Sequence, residues 1–146
     1  MEFIQSKDNK TIKHIVSLGQ RKNRSKYGEY IVEGIRSIRD ISTMGVIKAI
    51  VIRESKCKDK NIEALLSLEL MQSIPTYIAQ DPVFDKIDNT VTGQGIVAIV
   101  SKPTYSMESI SIEDGVYITL DGVQDPGNLG TILRTAVAAG VKGIFL

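Results

Sequence analysis

Residues 120–140, LDGVQDPGNLGTILRTAVAAG, read as the end of a strand, a tight turn and a helix. Asp125-Pro126-Gly127-Asn128 is a strong turn signal, and Asn128 has the side chain of a helix N-cap. From there to about Ala139, Ile132, Leu133, Ala136 and Val137 share one helical face,. Arg134 falls outside that face, beside Thr131 and Ala138. Gly127 and Gly130 leave the backbone bare near the helix start, where unpaired N–H groups and the helix dipole favour an anion. One amide and one guanidinium thus stand near a strand's carboxyl end, where open α/β sheets place ligand sites. Two readings are open. In one, the helix is simply well capped and Arg134 is solvated. In the other, Asn128 orients a ligand and Arg134 grips a phosphate or stabilises a developing alkoxide. The glycine spacing matches neither G-x-G-x-x-G nor G-K-[ST], so it is neither a dinucleotide fingerprint nor a P-loop.

Upstream, strands and helices alternate. Asp8 or Asn9 caps a helix to Leu18 with Ile12, Ile15 and Val16 as its apolar stripe; Lys10, Lys13 and His14 lie off it. His14 is expected on the surface or paired with backbone. Residues 19–28, GQRKNRSKYG, lack periodicity and are strongly basic, which predicts a mobile loop able to lie along a polyanion. Strands are predicted at Glu29–Glu33, Lys48–Arg53, Pro75–Ala79 and Ile96–Val100. Helices are predicted from Ile35 to about Met44, with Gly45 as the left-handed cap. They are also predicted from Asp59 or Asn61 to about Met71, with Ile62, Leu65, Leu66 and Leu70 inward, and after Asp81-Pro82, with Val83, Phe84 and Ile87 inward. Cys57 sits in a polar loop with no expected role. Residues 89–95 form a turn-rich loop. This alternation predicts a largely parallel α/β sandwich over about residues 27–101.

Residues 101–110 carry Pro103, three serines and no period, the composition of a linker. The expected organisation is a domain over 1–104 with a basic leading arm, a linker over 105–115, and a second α/β unit over 116–146. Within that unit a strand opens at Val116 and the next at Lys142. One strand, one helix and part of a strand cannot bury a core alone, so the second domain is expected to be incomplete in this chain.

Composition narrows the class. With 42% hydrophobic and 24% charged residues among 146, the chain is ordinary soluble protein,. Its longest apolar runs, such as GIVAIV, fall far short of the ~20 residues of a bilayer span, and no basic-then-apolar signal segment opens it. The only cysteine, Cys57, excludes an internal disulfide framework and suits a reducing cytosol,. One His and one Cys do not make a zinc site. The net charge of +1 hides an asymmetry. Lys7, Lys10, Lys13, Arg21, Lys22, Arg24 and Lys26 stand against Glu2 and Asp8 in residues 1–26, a net of +5 that leaves −4 for the rest. A cationic segment on a near-neutral body is an electrostatic footprint for phosphate backbones. Lys13, Arg21, Lys22, Arg24 and Lys26 are the candidate nucleic-acid contacts. Only 5% of residues are aromatic, so recognition should rest on shape and phosphates more than on base stacking.

DPGNLGTILRTAVAAGV, residues 125–141, resembles the first motif of the SpoU/TrmH family of RNA 2′-O-ribose methyltransferases, with its N-x-G-x-x-x-R core at Asn128, Gly130 and Arg134. The basic leader, YIVEG at 30–34 and QGIVAIV at 94–100 are similar to that family's N-terminal domain, an α/β fold like a small RNA-binding ribosomal protein. The resemblance implies S-adenosylmethionine as methyl donor, a ribose 2′-hydroxyl of ribosomal or transfer RNA as acceptor and a homodimer for the full-length protein; the cytoplasmic location rests on the cysteine usage. It assigns Arg134 to activating the hydroxyl and Asn128 to positioning RNA or the arginine; Glu33 falls on a structural or RNA-side position. Because a guanidinium is hardly ever deprotonated, alkoxide stabilisation is easier to defend than base action. The family's later motifs, which form a knot around the donor, are not in these residues, so the donor pocket is expected beyond Leu146. A non-catalytic RNA-binding module is the alternative.

Overall fold

In a computed structural model the described residues are 1–88, 93–104 and 111–146. The chain divides into two compact units, Met1–Thr104 and Tyr105–Leu146. Part of the turn-rich loop (89–92) and of the linker (105–110) lies outside the described residues.

The first unit is a five-stranded sheet with strand order β1-β4-β3-β5-β2, formed by β1 (Glu2–Ile4), β2 (Glu29–Glu33), β3 (Ile47–Arg53), β4 (Thr76–Ala79) and β5 (Ile96–Ser101). Helices cover both faces. On one side α1 (Lys10–Leu18) and α6 (Asp81–Phe84) enclose Ile4, Val51, Val97 and Ile99 with Ile12, Ile15, Leu18, Val83, Phe84 and Ile87. On the other, α3 (Ile35–Ile41), α4 (Lys60–Leu66) and α5 (Glu69–Gln72) supply Ile38, Ile62, Leu65 and Met71 against Ile50, Ile52, Ile96, Ala98 and Val100. The continuous apolar runs of β3 and β5 follow from this, since both their faces are covered. Gly45 closes the turn after α3 at φ 65°, as its sequence position predicts.

The sheet is mixed, where a largely parallel one is expected. β1 and β3 run parallel to β4, but β5 is antiparallel to both β3 and β2. The reason lies in α6. Four residues of helix rise only about 6 Å, too little to carry the chain back along the sheet. So β5 enters at the end where β3 stops, where the Arg53 N–H donates to the Gly95 carbonyl at 2.8 Å. Arg53 braces that end, with Nη1 2.8 Å from Asp85, Nη2 3.0 Å from Asp88 and its guanidinium over the Phe84 ring.

The leading basic segment is not an arm on a separate body. β1 adds to the sheet edge beside β4, and α1, capped by the Asn9 side chain accepting from the Thr11 N–H at 2.8 Å, buries Ile12, Ile15 and Leu18. Each such burial contributes about 1.5–3 kcal/mol. Val16, expected in the stripe, is exposed, and Leu18 takes that place. Residues 21–27, expected as a mobile loop, form α2 (Arg21–Tyr27). No residue of α2 is buried, so no hydrophobic period announces it. It is held by polar bonds instead. Asn23 donates to the Ser17 carbonyl, Arg24 donates to the Leu18 and Gly19 carbonyls, and Gly28 ends the helix at φ 63°. The helix expected over 59–71 is capped by Asp59 but breaks after Leu66. Leu68 is extended, which rephases α5 so that Met71 is buried and Leu70 is 56% exposed.

The second unit is a strand–helix–strand: β6 (Tyr117–Thr119), α7 (Pro126–Ala138) and β7 (Gly143–Phe145), with β6 and β7 parallel. Ala136 is its buried residue among those described, whereas Leu133 is partly exposed and Val137 is 79% exposed on the face expected to point inward.

If residues 1–18 are integral to the core, Ile15→Ala should lower stability by about 2–5 kcal/mol. Urea denaturation followed by far-ultraviolet circular dichroism measures it; an unchanged midpoint would return the segment to a loose arm.

Candidate functional site

The turn before α7 is built around Asp125. Its carboxylate accepts from the Asn128 N–H at 2.7 Å and caps the helix, so Asp125, not Asn128, is the N-cap. Pro126 follows in the first helical turn, where its missing N–H costs nothing. Gly127 keeps room for this cap: a Cβ there would lie 3.0 Å from the Asp125 carboxylate oxygen. The bare backbone of Gly127 therefore serves an internal anion, and one of the N–H groups expected to receive a ligand phosphate is already used. Asn128 is left with an exposed side chain one turn into the helix.

Gly122, Val123, Gln124, Asp125, Asn128, Thr131 and Ile132 line a cleft of about 470 Å³. Arg134 stands beside that cleft. Its Nη2 donates to Thr131 Oγ1 at 3.3 Å, and Thr131 Oγ1 donates to the Gly127 carbonyl at 2.9 Å. The guanidinium folds back along the helix over Gly130, whose missing Cβ would sit 3.4 Å from Nη1. Thr131 connects the two predicted residues, touching Arg134 and lining the cleft with Asn128. Its position three residues before Arg134 is the signal for this contact in a helix.

The candidate nucleic-acid contacts separate into distinct settings. Lys13 pairs with Asp8 at 2.8 Å on an exposed surface. Lys26 lies over the Tyr27 ring at 5.1 Å. Arg24 is half-buried and spends Nη1 on the carbonyls ending α1. Arg21 and Lys22 are exposed on the first turn of α2. Arg21 and Arg24 meet Ser25, Glu29, Tyr30 and Lys102 around a cleft of about 540 Å³ at the start of β2. His14 is paired with a carboxylate, contrary to the expectation of surface or backbone: Nε2 contacts Glu29, and the ring stands edge-on to Tyr27. Glu29 also holds Lys48 at 2.7 Å. Burial pushes the Glu29 carboxyl up, but hydrogen bonds and attraction from Lys48 and His14 outweigh it and hold the group below the ordinary glutamate range.

Residues 9–98 match the family model of the MRM3-like substrate binding domain. The chain is 30% identical over its full length to a Bacillus subtilis 23S rRNA (guanosine(2553)-2′-O)-methyltransferase, covering 54% of that protein. It is 31% identical to human mitochondrial rRNA methyltransferase 3 over 84% of this chain and 30% of that one. Among solved structures, an rRNA methyltransferase from Sinorhizobium meliloti superposes with a TM-score of 0.79 at 30% identity, over 98% of this chain and 53% of its own. The same enzyme with AdoMet bound gives 0.78. The chain spans about half the length of the curated bacterial relatives it matches.

Asp125→Ala should cost about 0.5–2 kcal/mol of helix stability. Amide exchange at Asn128 and Leu129 would then accelerate; unchanged rates would remove Asp125 as the cap. For Glu29, a lowered folded-state pKa means its contribution is present above the unfolded value and lost as pH falls through the folded one. The stability difference between wild type and Glu29→Gln should therefore begin to shrink as pH falls through about 4.3 and vanish only below the lower folded-state value,. A difference that persists into strong acid would show that the ion pairs are not its source.

Proposed function

Because the chain belongs to the SpoU/TrmH family of RNA 2′-O-ribose methyltransferases and carries its MRM3-like substrate binding domain, we propose that it supplies the RNA side of an enzyme that methylates a ribose 2′-hydroxyl of ribosomal or transfer RNA. The observation that carries this reading is the arrangement of Asn128, Thr131 and Arg134 along one turn and a half of α7, beside a cleft open to a ligand. Relatives named as rRNA 2′-O-methyltransferases support the acceptor class.

The methyl donor of such an enzyme is S-adenosylmethionine. The described residues do not fit it on their own. A nucleoside-sized ligand needs most of its surface enclosed, whereas the residues lining the α7 cleft are exposed apart from the half-buried Ile132, and none is aromatic. The donor's walls are proposed to lie in the part of the full-length protein that this chain does not span.

What this chain contributes is on the acceptor side. Arg134 carries a fixed positive charge held near the cleft by Thr131. Placed against the acceptor nucleotide, it lowers the energy of negative charge developing on the 2′-oxygen, or grips the neighbouring phosphate. Asn128 offers both a donor and an acceptor at the cleft wall and so suits orientation of the nucleotide. Arg21, Lys22 and Arg24, with Lys13 and Lys26, give the RNA backbone a cationic face whose contribution falls with salt. Cytoplasmic location and homodimerisation belong to the same proposal; among the described residues no helix is long and apolar enough to cross a membrane.

In the full-length protein Arg134→Ala should reduce methyl transfer by about 100-fold or more while RNA affinity changes little. Transfer of tritiated methyl groups, alongside filter binding of the RNA, measures both. Retained turnover would make Arg134 a surface residue.

A further inference from the structure

The cleft at the start of β2 gathers three cations, Arg21, Arg24 and Lys102. Lys13, Lys48 and Arg53 each pair with carboxylates: Asp8, Glu29, and Asp85 with Asp88. Arg21 and Lys102 have no ion pair among the described residues, and both face this cleft. Arg24, the third cation, is held in place because its Nη1 donates to the Leu18 and Gly19 carbonyls at 3.0 and 2.7 Å. Its remaining guanidinium N–H groups make no hydrogen bond or ion pair among the described residues. The opposite wall is also pinned: the Lys102 N–H donates to the Gly28 carbonyl at 2.7 Å, at the left-handed turn that ends α2. Cations on fixed backbone lose less freedom when a ligand arrives.

One wall has the opposite character. Glu29 brings a carboxylate into a ring of cations. Its two oxygens each hold one partner, Lys48 on Oε1 and His14 on Oε2. Each oxygen retains acceptor capacity, and an ionised carboxylate only accepts. A phosphate oxygen cannot donate to it. A sugar hydroxyl can. The volume, about 540 Å³, is in the range of a small-molecule site and suits a nucleotide unit rather than a duplex face.

We propose that this cleft is a subsite for one ribonucleotide backbone step, with the phosphate between Arg21, Arg24 and Lys102 and the adjoining ribose 2′-hydroxyl donating to Glu29. The subsite rests on the reading of this chain as the RNA side of a methyltransferase. It adds Lys102 and Glu29 to the contacts and gives the first unit a means of telling RNA from DNA, which the 2′-hydroxyl provides. Arg24 then acts twice, closing α1 with one nitrogen and holding phosphate with the others.

The test uses the whole chain and two fluorescein-labelled single strands, a short oligouridylate and the oligodeoxyuridylate of the same length. Binding is read by anisotropy across a salt series. Lys102→Ala should weaken both probes several-fold and reduce the slope of log affinity against log salt by about 0.7, one single-strand phosphate contact. Lys58→Ala, an exposed lysine outside the cleft, should leave the slope unchanged. The wild type should prefer the ribose probe. A slope that Lys102→Ala does not move overturns the phosphate contact, and equal affinity for the two probes overturns the Glu29 contact. Methyl transfer by the full-length protein separates the two readings. Normal transfer with an inert Lys102 overturns the subsite alone. Absence of transfer while Lys102 still sets the slope overturns the enzymatic reading alone.

Discussion

The first unit depends on covering both faces of β3 and β5. Val51, Val97 and Ile99 point to one side, and Ile50, Ile52, Ile96, Ala98 and Val100 to the other. A strand buried on both faces must be closed by helices above and below. The helices of residues 35–72 cover one face. The other needs α1 as well as α6, and so draws the N-terminal eighteen residues into the core. That requirement fixes where the leading cations stand. Lys10 and Lys13 ride on the outer side of a helix whose inner side is Ile12, Ile15 and Leu18. Arg24 and Asn23 then use the carbonyls at the end of that helix as anchors.

A similar economy operates in the second unit. Asp125 satisfies the helix start, Gly127 makes space for it, and Thr131 bridges between the helix backbone and Arg134. The glycine-rich turn is thus occupied by the protein's own carboxylate, which turns attention from the helix N-terminus to the side chains of Asn128 and Arg134 as the groups able to meet a ligand. The exposed Leu133 and Val137 share the same helix. An amphipathic pattern in the sequence states which residues are apolar; it does not state that a neighbour covers them.

Much of the fold was legible. The strands at 29–33, 48–53, 75–79 and 96–100 follow from apolar runs bounded by turn residues, and Gly45 and Asp59 mark helix ends through backbone chemistry local to them. β1 was not legible, because three residues carry no period. Nor was α2, whose stability comes from Asn23 and Arg24 reaching carbonyls five and six residues away. The reversed direction of β5 was hidden as well. Alternating strands and helices suggest parallel pairing, and the shortness of α6 against the length of the strands overrides it.

By itself the sequence determined the chemistry available: Asn128, Gly130 and Arg134 at their motif spacing, a cationic leading segment, and two apolar strands that demand a covered sheet. These are local properties, set by side-chain type and by periods of two or about four residues. The tertiary structure decided which groups are already spoken for. Asp125 takes the helix cap, Asp8 takes Lys13, and the α1 carbonyls take part of Arg24, while Arg21 and Lys102 come together around one cleft though 81 positions apart in the chain. The physical reason is that electrostatic partners are chosen by distance in space, and that distance exists only once the sheet has closed.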